Sequence, residues 1–415
     1  MGRGGPALVP PLRTQSRRLA IVGSDRTSSP RVNAPAELFS AEPGRIEHAE
    51  IVAVGPDSVT VSFVSGPGQE VVTRLGDAEV ASSGPHHVVT FDGLASSTDF
   101  ALQIEGHPET TDQLPASIRT LIRPSGTRLA TVATVNDVHF GETVCGMIHT
   151  IPEAELGPWV RAEPGEDPYP ITMNRAAVGE IADLGPDAVV AKGDLTCVGS
   201  EEEYQLFLDT YARFGSSLHH VRGNHDAMID PTMALEGAPY TVVISGVTLA
   251  VIDTVRPRDA GGQITRDQLA WLEATARESS GPVFVFGHHQ IWDLRAPERS
   301  TDYFGVDPDS SDAFAAVVRR HENIVGYFAG HTHRHRIRRF AEARQVPFVE
   351  IGAVKEYMGV WAEYEVYEGG YTQVIHRVSS PAALSWSERT RNLYGGIYPE
   401  YSRGRLDHRC FTYRF

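Results

Sequence analysis

Five short polar segments, each placed where a strand is expected to end, constrain this chain more than any other feature. They are Asn136–His139, Gly193–Asp194, Gly223–Asp226, Gly287–His289 and Gly330–His333. An apolar run rich in β-forming residues precedes each segment, most weakly before Gly223. In an open α/β sheet, the loops at the carboxyl ends of the strands face one crevice, where ligands bind. The five segments can therefore meet in space.

Length and charge limit the classes of protein to consider. A chain of 415 residues is too long for one ordinary core and suggests two domains. With 41% apolar and 22% charged residues, it has the composition of a soluble globular protein. The formal net charge of −16 repels polyanions, so we expect no long nucleic acid as a partner.

The patterning changes twice along the chain. Short alternating runs separated by Gly, Pro and Asp turns between Glu47 and Arg123 predict an antiparallel β-sandwich. Strand and helix signals then alternate and predict a layered α/β domain, in which the expected helices are Ile171–Leu184, Glu201–Phe214, Thr265–Glu278 and Ser311–Glu322. The expected organisation is a flexible segment at 1–33, a β-sandwich domain at 34–124, an α/β domain at 125–378 and an extension at 379–415.

The cysteines and the hydropathy of the chain indicate the cellular compartment in which the protein is expected. Cys145, Cys197 and Cys410 are widely spaced without a C-x-x-C motif, so neither a disulfide framework nor a zinc knuckle is implied. No apolar run reaches the roughly 18 residues of a membrane span. Arg17-Arg18 could hint at an export signal, but the apolar run that follows stops almost at once. We expect a cytoplasmic protein with no membrane partner.

The polar segments carry side chains that ligate metal ions. Asp137 and His139 are two residues apart, so in an extended chain they lie on the same side and can bind one ion. A carboxylate such as Asp194 can give an oxygen to each of two ions, which lie roughly 3.5–4 Å apart in bridged pairs. The other candidates, one amide oxygen and three imidazoles, are Asn224, His288, His331 and His333. The joint pattern predicts a two-metal site.

Taken together, the segments resemble the blocks D-x-H, G-D, G-N-H-D/E, G-H and G-H-x-H of the calcineurin-like metallophosphoesterase superfamily. All five occur here in order, within residues 127 to about 335. The resemblance implies an α/β fold of β-sandwich sheets flanked by helices, with a binuclear metal centre. It assigns the first ion to Asp137, His139, Asp194 and His333. It assigns the second ion to Asp194, Asn224, His288 and His331.

Softer resemblances bear on the substrate and the metals. Gly193–Thr196, followed by Gly199 and Glu203-Tyr204, is similar to the cyclic-nucleotide and glycerophosphodiester phosphodiesterase branch. The N-terminal sandwich, which resembles a fibronectin type III domain, is instead similar to the layout of purple acid phosphatases. Those enzymes carry a ferric tyrosinate three residues after the bridging Asp, where this chain has Cys197. We therefore expect two divalent ions, Mn, Fe(II), Zn or Co, in a colourless site.

The resemblance also implies a mechanism and a set of substrate contacts. A water shared by the two metals would attack phosphorus in line with the leaving oxygen. His225, beside the ligand Asn224, is the expected proton donor, and Asp226 would orient it. Asn224 and His225 are expected to contact the substrate, and Arg334 or His335 could touch its phosphate.

Hydrolysis of a small phosphodiester, of the cyclic nucleotide or glycerophosphodiester type, is the function we expect. The alternative is a phosphomonoesterase of the same superfamily, similar to acid phosphatases. A nuclease is third, and its basic strip would be Arg334, Arg336, Arg338 and Arg339, which we interpret as a solvated strand edge. A non-catalytic scaffold is a minor alternative, because scaffolds normally show replaced ligands and none is replaced here.

Overall fold

The computed structural model describes residues 41–42, 44–107, 110–148, 152–235, 237–300 and 302–415. The segment expected to be flexible, residues 1–33, lies outside them. The described part begins with strands alone and continues with alternating strands and helices, as the sequence predicts. None of its helices is both long enough and apolar enough to cross a membrane.

Seven strands at the N-terminal end form two packed sheets. They are β1 (Glu47–Val54), β2 (Val59–Val64), β3 (Glu70–Leu75), β4 (Ala78–Ser83), β5 (His86–Phe91), β6 (Asp99–Ile104) and β7 (Ser117–Arg119). The sheet orders are β1-β2-β5 and β4-β3-β6-β7, and the paired strands are antiparallel. Apolar residues from both sheets share one core, as the alternating pattern requires. The sandwich prediction is confirmed, although β4, whose residues are all at least partly exposed, was not predicted.

Two mixed six-stranded sheets follow. The strands of the first are β8 (Arg128–Val135), β9 (Ala188–Lys192), β10 (Leu218–Val221), β17 (Val360–Tyr367), β18 (Gly370–Arg377) and β19 (Phe411–Arg414). Their order is β10-β9-β8-β17-β18-β19. The strands of the second are β11 (Tyr240–Ile244), β12 (Val247–Val251), β13 (Val283–Phe286), β14 (Ile324–Ala329), β15 (Arg336–Arg338) and β16 (Phe348–Glu350). Their order is β11-β12-β13-β14-β16-β15.

Aromatic side chains join the two large sheets face to face, and helices cover their outer sides. The rings of Phe328 and Tyr364 lie 4.9 Å apart, and those of Phe284 and Tyr371 lie 4.8 Å apart. Helix α2 (Tyr169–Leu184) packs against buried residues of the first sheet. Helices α4 (Arg266–Glu278) and α5 (Pro308–Arg320) pack into a second core with strands of the second sheet. The helices are α1 (Glu153–Leu156), α2 (Tyr169–Leu184), α3 (Glu201–Tyr211), α4 (Arg266–Glu278), α5 (Pro308–Arg320), α6 (Pro381–Thr390), α7 (Tyr398–Ser402) and α8 (Leu406–Arg409).

Parallel pairing brings the five polar segments to one edge. Strands β8, β9 and β10 are mutually parallel in the first sheet, and β12, β13, β14 and β16 are parallel in the second. Each polar segment follows the carboxyl end of β8, β9, β10, β13 or β14. The predicted α/β layering and the placement of the segments are therefore confirmed.

The C-terminal residues are integrated into the fold more closely than their sequence indicates. The extension predicted at 379–415 contains α6, α7 and α8, and its strand β19 pairs with β18. It also joins the sandwich to the larger domain through the buried carboxylate of Glu50. That carboxylate accepts hydrogen bonds from the Tyr357 hydroxyl at 3.0 Å, Arg391 at 2.8 Å and Arg403 at 3.1 Å.

Candidate metal centre

The carboxylate of Asp194 lies between two groups of potential ligands. Its Oδ2 lies 3.5 Å from Nε2 of His139, and its Oδ1 lies 3.3 Å from Nε2 of His288. Asp194 is 2% exposed, so water screens these contacts little. Each oxygen of this one side chain therefore faces a different imidazole, which is the arrangement expected of a carboxylate shared by two cations.

On one side of Asp194, hydrogen bonds fix which ring nitrogen each imidazole presents. The Nδ1 of His288 donates to the Lys192 carbonyl at 2.8 Å, so Nε2 faces the site, where it is 3.2 Å from the Asn224 amide oxygen. The Nε2 of His331 donates to the Phe304 carbonyl at 2.7 Å, which leaves Nδ1. Backbone carbonyls commonly orient metal-binding imidazoles in this way.

On the other side, the ligand atoms of Asp137, His139, Asp194 and His333 all lie within 4.8 Å of one another. The Nε2 of His333 is 3.4 Å from Oδ1 of Asp137, and its Nδ1 donates to Glu356 at 2.8 Å. The sequence analysis missed Glu356, because it lies far from the motifs and only the fold brings it to His333. A carboxylate behind an imidazole raises its basicity as a metal ligand.

The backbone is strained at five of the seven predicted ligands. The residues with positive φ are Asp137 (54°), His139 (52°), Asp194 (49°), His331 (67°) and His333 (53°). Strain of this kind is retained where the surrounding structure imposes it, typically at functional sites. Two glycines let the loops approach closely: a Cβ on Gly193 would lie 2.4 Å from Nδ1 of His288, and one on Gly223 would lie 2.1 Å from Oδ1 of Asp194.

The unpaired polar atoms of the site suit a metal ion. His139 is 3% exposed, and neither of its ring nitrogens has a hydrogen-bond partner among the described residues. Burial and the nearby charge of Lys355 lower the pKa of His139, and burial with the charge of His288 lowers the pKa of His331 to about 3. Both imidazoles are therefore neutral at neutral pH, which is the form that binds metals. An orphaned buried imidazole is costly unless an ion is its partner.

The structure corrects the role predicted for Asp226. Its carboxylate accepts from the backbone amides of Leu195, Thr196 and Gly223, at 3.1, 2.8 and 2.6 Å, and does not bond to His225. The group that orients His225 is the Cys197 carbonyl, which accepts from Nδ1 at 2.6 Å. Asp226 therefore holds the loop that follows Gly193–Asp194 and does not orient His225.

Arg334 and His335 are also placed away from the predicted phosphate contacts. Arg334 forms an ion pair with Glu350 at 2.9 Å, lies over the Tyr401 ring and does not line the cleft beside the ligands. His335 is buried, and its Nδ1 accepts from the Gly352 amide at 3.4 Å. Glu350 lies on β16 beside the edge strand β15, and this pairing was invisible in the sequence.

The cleft beside the ligands contains groups that the sequence analysis did not identify. Lys355 is 3% exposed and lies 2.6 Å from Glu142 and 3.1 Å from Glu356. The C-terminal region contributes Tyr394, Tyr398 and Tyr401 to the lining. The spacing of Tyr398 and Tyr401 indicates one helical face, but Tyr394 is separated from that helix by a turn of positive φ at Tyr394, Gly395 and Gly396. Only the fold brings the three rings to the cleft.

Comparison with known proteins places the region of the predicted metal ligands in a family. Residues 130–335, which include all seven predicted ligands, match the calcineurin-like phosphoesterase family. The chain contains a calcineurin-like phosphoesterase domain. Structures of similar fold include a dimetal phosphatase from Danio rerio, at 16% identity over 60% of this chain and 97% of that one, with a TM-score of 0.43. A purple acid phosphatase from yellow lupin matches at 11% identity over 81% of this chain and 72% of that one, also with a TM-score of 0.43.

Curated relatives of this calcineurin-like domain are named as phosphodiesterases. A probable cyclic nucleotide phosphodiesterase of Synechococcus is 26% identical over 40% of this chain and 65% of its own length. A glycerophosphodiester phosphodiesterase of Enterobacter lignolyticus is 28% identical over 38% of this chain and 60% of its length. A cAMP/cGMP dual specificity phosphodiesterase of Mycobacterium tuberculosis is 29% identical over 36% of this chain and 49% of its length. The chain thus spans between about half and two thirds of these relatives.

Proposed function

We propose that the protein is a binuclear metal-dependent hydrolase of phosphoric esters whose substrate is a small phosphodiester. The observation that carries the proposal is the position of Asp194, whose two oxygens face His139 and His288 at 3.5 and 3.3 Å. The names of the curated relatives support a diester as substrate. The complete set of seven ligand types argues against a scaffold that has lost its metals.

The proposed ligand sets follow the sequence prediction. One ion would be held by Asp137, His139, Asp194 and His333, and the other by Asp194, Asn224, His288 and His331. When bound, two divalent ions would neutralise the charge of the phosphate and supply an activated water as nucleophile. Nitrogen and oxygen donors suit Mn, Fe(II), Zn or Co, and the choice among these stays a prediction.

The protein's own contribution to the reaction is to position these groups and to supply a proton. His225 lines the cleft, and its ring centroid lies 4.6 Å from that of His139. Because the Cys197 carbonyl occupies Nδ1, Nε2 is the nitrogen that can give a proton to the leaving alkoxide. Asp226 fixes the loop that carries Asp194, so its role is structural support of the bridging carboxylate.

The test is hydrolysis of bis-p-nitrophenyl phosphate and p-nitrophenyl phosphate by metal-stripped protein, with and without added Mn. We expect metal-dependent release that is lost in an Asp194→Asn variant and kept in Asp309→Asn, a control at an exposed position on α5. The ratio of the two rates decides between a diesterase and the phosphomonoesterase alternative. Absence of release with Mn, Fe(II), Zn and Co would contradict the proposal.

The remaining predictions are part of the same proposal. We propose a sandwich domain at 34–124 and a phosphoesterase domain at 125–378, to which the segment 379–415 adds helices and an edge strand. The cytoplasmic location and the absence of long nucleic acid as a partner stay predictions. Of the arginines interpreted as a solvated strand edge, Arg336 and Arg338 lie on β15, the last strand of its sheet. Arg338 is buried, and Arg334, Arg336 and Arg339 are only partly exposed.

A further inference from the structure

Three tyrosines from the C-terminal segment form an aromatic wall in the cleft, in which the Tyr398 ring is nearly perpendicular to that of Tyr394 (77°) and tilted by 25° from that of Tyr401. Tyr394, Tyr398 and Tyr401 all line it. The ring centroids of Tyr394 and Tyr398 are 5.5 Å apart, and those of Tyr398 and Tyr401 are 6.2 Å apart. Tyr398 and Tyr401, three residues apart, lie on one side of α7. Tyr394 precedes that helix across three residues of positive φ, Tyr394, Gly395 and Gly396, and this turn brings its ring to the other two.

Hydrogen bonds fix this wall to the metal ligands. The hydroxyl of Tyr398 donates to Glu356, which in turn holds His333 at 2.8 Å. The hydroxyl of Tyr401 donates to the Thr332 carbonyl at 2.8 Å, between the two ligands of the last motif. The amide of His335 donates to the Ser402 carbonyl at 2.8 Å. The C-terminal segment is therefore bound to the last motif through both its tyrosine hydroxyls and its backbone.

The donors of two tyrosines are therefore already used inside the protein. Tyr398 is 2% exposed, whereas Tyr394 and Tyr401 are only partly buried. What the wall offers to a bound molecule is mainly ring surface. Further apolar lining comes from Met147, which is 38% exposed, and from Ile148, Ala260 and Phe304.

The cleft therefore has a polar, charged part and an aromatic, apolar part. The imidazoles and Asp194, with the ions they are proposed to hold, would bind a phosphate ester, whereas the charge of Lys355 is already paired with Glu142 and Glu356. The tyrosines and Met147 provide a surface suited to a flat apolar group. A polyol such as glycerol would find few free donors on that surface. A planar ring would stack on it, because aromatic faces attract one another in offset or edge-on geometry.

We propose that Tyr394 and Tyr401, with Met147, form a subsite for a planar ring in the alcohol part of the substrate. The substrate class is then a phosphate ester whose alcohol carries a nucleobase or another aromatic ring. This inference rests on the proposed function for its phosphate end. The C-terminal segment, outside the residues that match the family, is what gives this chain its substrate preference.

The test compares two esters with the same leaving oxygen. These are the methyl ester of adenosine 5′-phosphate and the methyl ester of methyl riboside 5-phosphate, which differ only in the base. For the Mn-loaded protein we expect kcat/KM to be about tenfold or more higher for the adenosine ester, as stacking of one base typically provides. Tyr394→Leu should reduce this ratio to about two or less, and Tyr394→Phe should retain it.

The possible results test the subsite separately from the proposed function. Equal kcat/KM for the two esters in the wild-type protein would overturn the subsite and leave the proposed function standing. If no phosphate ester is hydrolysed, the proposed function fails, and binding still tests the subsite. Calorimetric titration should then show adenosine 5′-monophosphate binding about tenfold more tightly than ribose 5-phosphate, with the difference lost in Tyr394→Leu. Equal affinities would overturn the subsite by this second measurement.

Discussion

Replacing Glu356 by Gln should weaken metal binding without unfolding the protein. Glu356 accepts from Nδ1 of His333 at 2.8 Å and so aims Nε2 at the group formed with Asp137. A neutral amide keeps the shape of the side chain but withdraws the negative charge that makes the imidazole a stronger ligand. Glu142 still faces Lys355 at 2.6 Å, so that buried cation keeps a partner.

The size of the effect follows from the kind of contact that is removed. Loss of a carboxylate behind a metal-binding imidazole typically costs 10–100-fold in affinity, or about 1.4–2.8 kcal/mol. Tyr398→Phe removes only the hydroxyl that donates to Glu356. The contact between Glu356 and His333 survives in that variant, so its loss of affinity should be smaller.

The assay is calorimetric titration of Mn into metal-stripped protein, with circular dichroism to check the fold. The matched control is Glu363→Gln, which removes another hydrogen bond between a glutamate and a histidine, at 2.8 Å to His376 on β17 and β18. It should leave metal affinity unchanged. If Glu356→Gln binds Mn as tightly as the wild type, Glu356 does not position His333 and the reasoning is refuted.

Four further results are expected. Gly223→Ala should bind metals about tenfold or more weakly by calorimetry, because its Cβ would lie 2.1 Å from Oδ1 of Asp194. His225→Ala should lower kcat roughly 10²–10⁴-fold with unchanged metal content, as loss of a proton donor does. Arg334→Ala should change kcat/KM by less than about threefold, because Glu350 already pairs its charge; a loss above tenfold would restore its predicted role. Burial acts to raise the pKa of Glu50, but the surrounding arginines lower it to about 2 from 4.5. Because the pKa of Glu50 is lower in the folded state than in the unfolded state, its ionised carboxylate stabilises the folded protein by about 3 kcal/mol above pH 4.5. This contribution is lost as the pH falls through 2. Other buried carboxylates, such as Glu356 and Glu388, also have a lowered pKa and lose stability over this range. Urea unfolding from pH 5 to pH 2 should therefore show a loss that is about 3 kcal/mol smaller in Glu50→Gln than in the wild type.

The sequence was sufficient to predict the core of the fold and the edge where the candidate ligands converge. Long apolar runs such as Ile324–Ala329 are buried strands, and the polar segment after each run sits at the expected edge. Local rules suffice there because strand length, burial and the position of the ligand are all encoded within a few residues. The bounds of α4 differ from the prediction by one residue at its start.

The contacts of polar side chains could not be predicted in the same way. Asp226 is adjacent to His225 in sequence, yet backbone amides of a different loop take its carboxylate. Glu356 and Tyr398 are coupled to His333 across sequence separations that no local pattern reports. These partners depend on tertiary packing, so positioning residues were missed even though the candidate ligands themselves converge.

The account depends on two ions sharing Asp194, and anomalous diffraction from crystals of Mn-loaded protein tests this most directly. Two peaks roughly 3.5–4 Å apart, one on each side of the Asp194 carboxylate, are the predicted result. One peak should lie beside His139 and His333, and the other beside His288 and His331. A single peak, or two peaks that do not share Asp194, would contradict the binuclear site.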